Sequence, residues 1–522
     1  MKPIRSLAAW IVVGALALSS SAIAQDDARR GGTFTAAVSA GPPTLDVITS
    51  TAAATRLATW FFLESLITYD EDFVPAPLLA EGWDVSDDGL TYTFHLKRDV
   101  LFHDGQTMTA DDVIASIDRY MAISPRASSF TNVTNYEATD EHTVVFMLEA
   151  PSAGFLDALA YPVAYLAIMP ASIIEGKGVG DLTTADYIGT GPYRLATYRP
   201  DELVRLERFD DYHATEGETS GLTGNKTPYF DAVVLRLVPE AGARMAGLET
   251  GEYDFAQDLP FTEHARMVDH AEITPYVLVP DRWTVLDFNY CDPLVQNIDF
   301  RRAIQAALAI DAIGAVQANG IADFYRVPPS IFFTESPWHT EVGTEPFNVH
   351  DIERARAHLE ASGYAGEEVV FLTNRNFDYM FSAIMVAADQ LERELGLNVR
   401  VDILDWPAQR AMWVNTPGWH IDVTGYLSQA SFAPDAFASI YHSNSNRKCH
   451  ANPELDALFE AAASAPDDAT RRELYDEIQT TFYADVTGIK TADLHALHGL
   501  RSDIQGFAPW YNITRFWNIW RD

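Results

Sequence analysis

Ser445-Asn-Arg-Lys448 matches the S-x-x-K pattern of enzymes that use a serine nucleophile. The match lies in a polar loop and not at the start of a helix, so the serine lacks the position that this chemistry uses. The zinc-protease pattern H-E-x-x-H, the nucleophile elbow G-x-S-x-G and the phosphate-binding pattern G-x-x-x-x-G-K-[ST] do not occur in the sequence. These motifs give no argument for an enzyme.

Two pairs of histidines have a spacing at which both could contact one metal ion. His442 and His450 flank one loop, and His495 and His498 stand three residues apart. The 14 histidines are otherwise scattered, and no cysteine or carboxylate completes a recognised metal pattern. Solvated or capping histidines are therefore the better interpretation, and we predict no cofactor.

One glycine–proline motif and two pairs of aspartates are typical of turns and helix starts and not of a catalytic site. Gly189-Thr-Gly-Pro-Tyr193 is not a phosphate loop, because Pro192 removes an N–H donor where one would be needed. Asp87-Asp88 and Asp111-Asp112 are typical of a turn and of the first turn of a helix. The glycine–proline turn is instead a candidate crossing point between two lobes.

The elements that surround these residues alternate between strands and helices. Thr91–Leu96 and Thr143–Leu148 have the alternating or β-branched patterns of strands. Between them, Thr109 is a candidate N-cap of a helix that runs to about Met121. This part of the chain predicts a sheet with a helix packed beside it.

A second unit of the same kind follows. Apolar residues from Met380 to Leu395 recur at helical spacing, Gly396 provides a C-terminal cap, and a strand runs from Leu397 to Ile403. A helix followed at once by a strand is the repeating unit of an α/β lobe. Further helices are predicted over residues 300–312, 351–362 and 453–464.

The N-terminus has the three parts of a secretion signal. Lys2 and Arg5 precede an apolar run, and Ala22-Ile-Ala24 is a cleavage site of the A-x-A type. The run is too short for a membrane span, which needs about 20 apolar residues. No cysteine follows the cleavage site, so we predict a mature chain that begins near Gln25 without a lipid anchor.

The bulk composition is that of an acidic globular protein. Of 522 residues, 48% are hydrophobic and 21% charged, and the net charge of −38 excludes a nucleic-acid-binding surface of the usual kind. Without the leader roughly 500 residues remain, which is long for one core and predicts two or more lobes. Cys291 and Cys449 could pair outside the cytoplasm, but their separation in sequence leaves this open.

One long run identifies a family resemblance. Pro77-Leu-Leu-Ala-Glu-Gly-Trp-Asp-Val-Ser-Asp-Asp-Gly-Leu-Thr-Tyr-Thr-Phe-His-Leu96, followed by Val100-Leu-Phe-His-Asp-Gly105 and Thr109-Ala-Asp-Asp-Val113, resembles the signature of the extracytoplasmic solute-binding proteins of family 5. These are the dipeptide, oligopeptide and nickel class that serve ABC importers. Phe300-Arg-Arg-Ala-Ile304 and Asn452-Pro-Glu-Leu-Asp456 extend the resemblance along the chain.

The resemblance implies an α/β fold of the periplasmic-binding-protein-like type, with two lobes, an extra third domain (cluster C type) and mixed sheets. It assigns the signal peptide to residues 1–24 and lobe I to residues 31–65, 188–285 and 495–522. The extra domain II takes residues 66–187 and lobe III takes residues 286–494. Such proteins do no covalent chemistry, and their ligand stabilises a closed state of the two lobes.

Two sets of residues are expected to hold the ligand. Arg375 stands where dipeptide-binding relatives carry an arginine that pairs with the peptide carboxylate, and Phe377 follows it. Trp406 matches a family tryptophan that faces the cleft, and Tyr426 and Ser428 lie in the matching stretch Gly425–Asp435. Thr44 and Thr51 are weaker candidates for contacts from lobe I.

The expected anchor of a peptide amine departs from the family pattern. The position falls on Gln429 or Ala430, neither of which is charged, and Asp435 is the next acid along the chain. A buried ammonium without a counter-charge is costly. Together with the secretion signal, the resemblance nevertheless implies a periplasmic, monomeric binding component that delivers small peptides or peptide-like solutes to the permease subunits of an ABC importer and their ATPases.

Other ligands and other classes of protein remain open at this point. Within the fold, the altered amine position also suits an opine-like conjugate, an oligosaccharide or a nickel chelate. A secreted hydrolase is disfavoured by the missing motifs. A signalling module that docks on a chemoreceptor would use the same lobes.

Overall fold

The computed structural model describes residues 30–215, 217–414, 416–428, 435–445 and 448–522, apart from the side chains at 435 and 436. The predicted leader, Ala22-Ile-Ala24 and Gln25 lie outside the described residues. None of the helices in the described ranges combines the length and the apolar composition needed to cross a membrane.

The described chain is a mixed α/β structure. The strands are β1 Thr33–Val38, β2 Ile67–Tyr69, β3 Pro75–Pro77, β4 Ala80–Val85, β5 Thr91–Leu96, β6 Val133–Asp140, β7 Thr143–Leu148, β8 Tyr193–Arg199, β9 Leu203–Arg208, β10 Ala232–Leu237, β11 Phe255–Leu259, β12 Ile273–Phe288, β13 Tyr325–Arg326, β14 Glu368–Asn374, β15 Asn398–Leu404, β16 Ile421–Leu427, β17 Gly488–Arg501, β18 Ile504–Gln505 and β19 Trp520–Arg521. The helices are α1 Ala53–Thr59, α2 Ala110–Ile123, α3 Gly154–Ala160, α4 Ala171–Ile174, α5 Ala241–Thr250, α6 His264–Val268, α7 Pro293–Gln296, α8 Ile298–Ala307, α9 Ile310–Gln317, α10 Ile352–Ser362, α11 Asp378–Leu395, α12 Trp406–Met412, α13 Asp435–Tyr441, α14 Pro453–Ala463 and α15 Asp468–Ala484.

A large mixed sheet runs through the molecule in the order β15-β14-β16-β12-β17-β11-β1-β10-β9-β8. The strands from β11 to β8 form what we term the first half, and β14 to β16 form the second half. Strands β1 and β10 are parallel, as are β14 and β15, whereas β12 and β17 are antiparallel. The two long central strands β12 and β17 belong to both halves.

The pairing of β12 with β17 shifts where the chain passes between the halves. Leu278 pairs with Ala496, but the next pair is Arg282 with Leu494. Three residues of β12 therefore oppose one residue of β17, which is a bulge. A bulge bends its strand and redirects the side chains next to it, and here those are Asp281 and Arg282.

Each half has its own buried core. One cluster of buried hydrophobic residues draws on residues 34–235, Phe255 and residues 500–519. Another draws on residues 286–489. These two cores share no residue, although a smaller cluster that includes Leu259, Phe324 and Leu497 packs along β17. Separate main cores are the condition for two halves that can move relative to each other.

A smaller antiparallel sheet, β4-β5-β7-β6, packs with α2 beside the first half. The predicted strands Thr91–Leu96 and Thr143–Leu148 are confirmed with these limits. Thr109 caps α2 through a capping box with Asp112, as predicted, and the helix ends at Ile123. Because the hydrophobic side chains of this sheet join the core of the first half, the proposed limits of domain II stay a prediction.

The helix and strand predicted around Gly396 are confirmed. α11 ends at Leu395, Gly396 adopts the left-handed conformation with a φ of 69°, and β15 follows. The single helix predicted over residues 300–312 is wrong, because the chain breaks between α8 and α9. Gln390 accepts the N–H of Ala309 and Asn348 accepts that of Ile310, so distant side chains satisfy the backbone there.

The turn Gly189-Thr-Gly-Pro-Tyr193 is explained by close packing. A Cβ at position 189 would lie 1.9 Å from the carbonyl oxygen of Phe62, and one at position 191 would lie 2.5 Å from that of Phe61. Only glycine allows this approach of two backbone segments.

Candidate functional site

A cavity of about 670 Å³ lies between the two halves of the large sheet. Its first wall comes from the loop after β1, from α1, and from the ends of β11 and β17. Its second wall comes from the starts of α11 and α12 and from the end of β16. The volume lies within the range of ligand pockets, roughly 300–1,000 Å³.

Asp258 anchors the polar part of the first wall. Its Oδ2 accepts a hydrogen bond of 2.7 Å from the hydroxyl of Ser39, and its backbone N–H donates to Nδ1 of His498 at 3.1 Å. The φ of Asp258 is 49°, in the left-handed region that non-glycine residues seldom adopt. These contacts hold the carboxylate at the cavity.

Asp281 and Arg282 form an ion pair at the bulge of β12. Nε of Arg282 donates to Oδ2 of Asp281, and Nη1 donates to the hydroxyl of Tyr379 at 3.3 Å. Burial by itself would lower the pKa of Arg282, but Asp281, Tyr379 and Asp258 outweigh burial and raise it. The arginine is therefore held as a cation, and both members of the pair line the cavity.

Gly425 in β16 makes room for this arrangement. A Cβ there would lie 2.9 Å from the hydroxyl of Tyr379 and 3.2 Å from Cδ of Arg282. Burial raises the pKa of Tyr379. A larger residue at position 425 would displace the side chains of Tyr379 and Arg282 from this arrangement.

The second wall is aromatic. The rings of Phe377 and Trp406 meet edge to face with centroids 5.3 Å apart, and Trp406 packs in the same way on Trp413 at 5.6 Å. Arg410 follows Trp406 by four residues on α12, so both lie on one face of that helix. Its guanidinium lies 5.8 Å from the ring centroid of Trp406 and 5.7 Å from that of Trp413.

The structure brings some of the predicted site residues to the cavity. Thr51, Phe377 and Trp406 line it. Arg375 is exposed, with its guanidinium 4.2 Å from the ring centroid of Phe381, and it is not part of the cavity wall. Thr44 lies in the same loop as Thr51 and caps the backbone N–H of Asp46.

The remaining predicted residues lie at the end of β16 or after it. Tyr426 donates a hydrogen bond of 3.2 Å to Asp287, and Ser428 is fully buried. Asp435 begins α13, but its side chain is outside the description. Gln429 and Ala430 lie outside the described residues. Ligand contacts of all these residues stay predictions.

Sequence reasoning missed the charged residues that do line the cavity: Asp258, Asp281, Arg282 and Arg410. One signal was present, since Asp281 and Arg282 interrupt an apolar stretch from Tyr276 to Phe288. Adjacent charges in the middle of a buried strand are a candidate functional site. Nothing local distinguishes Asp258 or Arg410 from surface residues.

A second charged cluster lies behind the aromatic wall. Nζ of Lys448 lies 2.6 Å from Oδ2 of Asp287 and 3.2 Å from Oδ1 of Asp422, and Nε1 of Trp413 donates to Asp422 at 2.6 Å. The neighbouring Cys449 is joined to Cys291 by a disulfide, with 5.0 Å between the Cα atoms. The structure therefore contains the disulfide that the sequence analysis had left open.

The motifs considered for catalysis have other roles. Lys448 of the S-x-x-K match is buried in this ionic cluster, and the hydroxyl of Ser445 donates to the carbonyl of Ile440. His495 donates from Nδ1 to the carbonyl of Asp323 at 2.9 Å. Across the residues that the structure describes, no group of three or more His, Cys, Asp or Glu side chains could hold a metal ion.

Comparisons with known proteins agree with this geometry. The family model described as bacterial extracellular solute-binding proteins, family 5 Middle, matches residues 74–448. The glutathione-binding protein GsiB of Pectobacterium atrosepticum is 28% identical over 468 residues, which is 85% of this chain and 85% of that protein.

Solved structures share the fold. The ABC transporter substrate-binding protein CtaP from Listeria monocytogenes superposes with a TM-score of 0.82 at 24% identity, covering 94% of this chain and 99% of that one. The periplasmic binding protein DppA from Helicobacter pylori, solved in complex with the peptide STSA, gives a TM-score of 0.80 at 22% identity, covering 96% and 99%. The predicted α/β, two-lobed fold is confirmed.

Proposed function

The chain belongs to family 5 of the bacterial extracellular solute-binding proteins, and from this we propose that it captures small peptides or peptide-like solutes for an ABC importer. Binding proteins of this family take up peptide or small-molecule ligands outside the cytoplasm and work with ABC permease components. They are transport proteins and not enzymes.

The observation that carries the proposal is the cavity with a wall from each half of the sheet. The two halves have separate cores and are linked by β12 and β17, which bulge where they pass from one half to the other. A ligand that touches both walls stabilises a closed arrangement through its differential contacts. The permease then receives the closed form.

The lining of the cavity favours a solute with charges of both signs. Asp258 and Asp281 are acidic and Arg282 and Arg410 are basic, so the lining is balanced although the chain has a net charge of −38. Phe377, Trp406 and Trp60 add apolar area beside them. Peptides and glutathione, for which GsiB is named, offer both kinds of group.

The cellular setting completes the proposal. The N-terminal pattern around Lys2 and Ala22-Ile-Ala24 directs the chain to the periplasm, and cleavage leaves Gln25 as the first residue. The mature protein acts as a monomer that docks on the permease subunits, and it performs no covalent chemistry on its ligand.

A ligand screen by thermal unfolding tests this function. The secreted protein, purified from the periplasmic fraction, is heated with free di- to pentapeptides, glutathione, N-acylated peptides, opines, oligosaccharides and nickel–histidine. A ligand that binds only the folded state adds RT ln(1 + [L]/Kd), about 2.7 kcal/mol at 100-fold excess over Kd. We expect stabilisation by peptides or glutathione and an N-terminus at Gln25.

Two results would contradict the proposal. Stabilisation by oligosaccharides or nickel–histidine alone would remove the peptide assignment and leave the transport role. Hydrolysis of any peptide by the pure protein would overturn its assignment as a binding protein.

A further inference from the structure

Building on the proposed function, we infer that Asp258, Asp281 and Arg282 together recognise the head of an α-amino acid, whose ammonium and carboxylate sit on one carbon atom. The solute class is then an amino acid conjugated through its side chain, such as a γ-glutamyl peptide. An ordinary α-linked peptide is not the preferred ligand.

The ion pair at the bulge leaves hydrogen-bonding groups open. Within the described part of the chain, Arg282 uses Nε toward Asp281 and Nη1 toward Tyr379, and its Nη2 has no hydrogen-bond partner. Only Oδ2 of Asp281 is engaged, so its Oδ1 is open as well. The side chain of Asp281 is 7% exposed and that of Arg282 is 20% exposed.

In the part of the chain that the structure describes, neither Nη2 of Arg282 nor Oδ1 of Asp281 is a buried unpaired atom, so both open groups are accessible from solvent. Both side chains line the cavity, so a ligand can satisfy them there. Nη2 of Arg282 suits a carboxylate oxygen, because a guanidinium donates to carboxylates in its own plane. Oδ1 of Asp281 suits an ammonium.

Asp258 adds a second acceptor and a net negative charge. Its Oδ2 accepts from Ser39, while its Oδ1 has no hydrogen-bond partner among the described residues. Within this group of three, two carboxylates accompany one guanidinium, so a ligand's ammonium has two acceptors to bind, while Arg410 balances the lining as a whole. Asp258 also helps to raise the pKa of Arg282.

The proximity of acceptor and donor selects the class of ligand. Asp281 and Arg282 are adjacent in sequence and already in contact, so the groups they recognise must also be close together. In an α-amino acid head the ammonium and carboxylate share one carbon atom. In an α-linked peptide at least one further residue separates them, and each residue adds about 3.3–3.6 Å in an extended chain.

This arrangement also accounts for the uncharged amine position in the sequence. The resemblance places the expected amine anchor at Gln429 or Ala430, and neither residue supplies a counter-charge. Asp258 and Asp281 would supply it from the opposite wall and the bulge. The ammonium of the ligand would thus be bound by side chains on the side of the first half.

A pair of isomers provides the sharpest test. γ-Glutamylglycine and α-glutamylglycine have the same atoms and the same net charge, but only the γ isomer keeps ammonium and carboxylate on one carbon. We expect calorimetry with the secreted protein to give at least about tenfold tighter binding of the γ isomer, the scale of one well-placed charged contact. N-acetylation of the γ isomer should remove its advantage.

Variants assign the preference to these residues. Asp258→Asn and Arg282→Lys, which keeps the charge but loses the planar fork, should each reduce the ratio of γ to α affinity toward one. Glu392→Gln and Arg393→Lys change similar groups at the exposed end of α11 and should leave the ratio unchanged. Because the measured quantity is the ratio of two affinities, a general loss of stability, which weakens the binding of both isomers, does not change it.

Each outcome separates the inference from the function on which it rests. Equal or tighter binding of the α isomer would overturn the inference and leave peptide capture intact. A γ preference that survives both variants would overturn the assignment to Asp258 and Arg282. If neither isomer nor any peptide binds, the proposed function itself fails.

Discussion

Lys448 is buried against Asp287, with Nζ 2.6 Å from Oδ2, and the two side chains are 8% and 2% exposed. Asp422 lies on the other side of the same ammonium at 3.2 Å and is fully buried. The backbone N–H of Lys448 donates to the carbonyl of Trp413 at 2.7 Å. One lysine thus neutralises two carboxylates directly behind the aromatic wall of the cavity.

Replacement of this lysine should strongly destabilise the fold. Lys448→Met leaves Asp287 and Asp422 buried without a counter-ion, and breaking a buried pair in this way costs about 3–5 kcal/mol. Urea unfolding measures the loss. Lys177→Met is the control, because its pair with Asp186 is partly exposed and should contribute less than about 1 kcal/mol. A loss as small as that of the control would mean that Lys448 is dispensable.

The disulfide next to Lys448 should stabilise the same region. Cys291 and Cys449 are separated by 158 residues, and removing a bridge that closes a long loop typically costs about 2–4 kcal/mol. The double variant Cys291→Ser/Cys449→Ser should show this loss in urea, and reduction of the wild type should reproduce it.

Coupling between bridge and lysine is a stricter test. Because Cys449 positions the residue before it, the losses from the double serine variant and from Lys448→Met should sum to more than the loss of the triple variant. Additive losses would show that the bridge does not hold Lys448 in place.

Asp422 should give the stability a distinctive pH dependence. Burial, with a contribution from Asp287, raises its pKa to about 6 against the opposing effect of Lys448. The folded state therefore keeps the proton to higher pH than the unfolded chain, where the pKa is about 3.9. Ionisation of Asp422 costs stability as the pH rises from about 4 to 6, and the cost is constant above that range.

Asp422→Asn removes this titration. The free energy of unfolding of the wild type minus that of the variant should fall between pH 4 and 6 and then level off. A difference for Asp422→Asn that rises with pH would mean that its pKa is lowered and not raised.

Local signals determined what could be predicted from the sequence. The capping box of Thr109 and Asp112 and the left-handed cap at Gly396 are complete within a few residues, so α2 and α11 were recoverable. The break between α8 and α9 depends on Gln390 and Asn348, which are distant in sequence, so no local pattern predicts it.

The site was only partly predictable for the same reason. The family resemblance pointed to Trp406 and Phe377, which do line the cavity. Asp281 and Arg282 reach it because β12 bulges against β17, and that register shift is a property of two strands about 200 residues apart in the chain, as in the pair Arg282 and Leu494. Family likeness pointed instead to Arg375, which the structure places on the surface.

The glycine–proline turn that leads into β8 should tolerate no side chain. Gly189→Ala would place a Cβ 1.9 Å from the carbonyl oxygen of Phe62, so backbone must move, and we expect a loss of about 3 kcal/mol or more in urea unfolding. Gly242→Ala, in α5 with no atom within 4 Å of the new Cβ, should raise stability by up to about 1 kcal/mol. Similar effects of the two substitutions would contradict the close packing described at Gly189.

Arg375 provides a last test of how the ligand is held. It is exposed and precedes Phe377 of the cavity wall by two residues, and we propose that closure of the two halves brings it toward a bound solute. We expect Arg375→Ala to weaken binding of γ-glutamylglycine about tenfold, as for one charged contact, with the unfolding temperature of the empty protein unchanged. γ-Glutamylglycinamide lacks the distal carboxylate, so its affinity should be the same for variant and wild type. Equal losses for both ligands would mean that Arg375 acts on the structure of the site and not on the carboxylate, and no loss for either would remove it from the site and leave Arg282 and Arg410 as the cations that face the ligand.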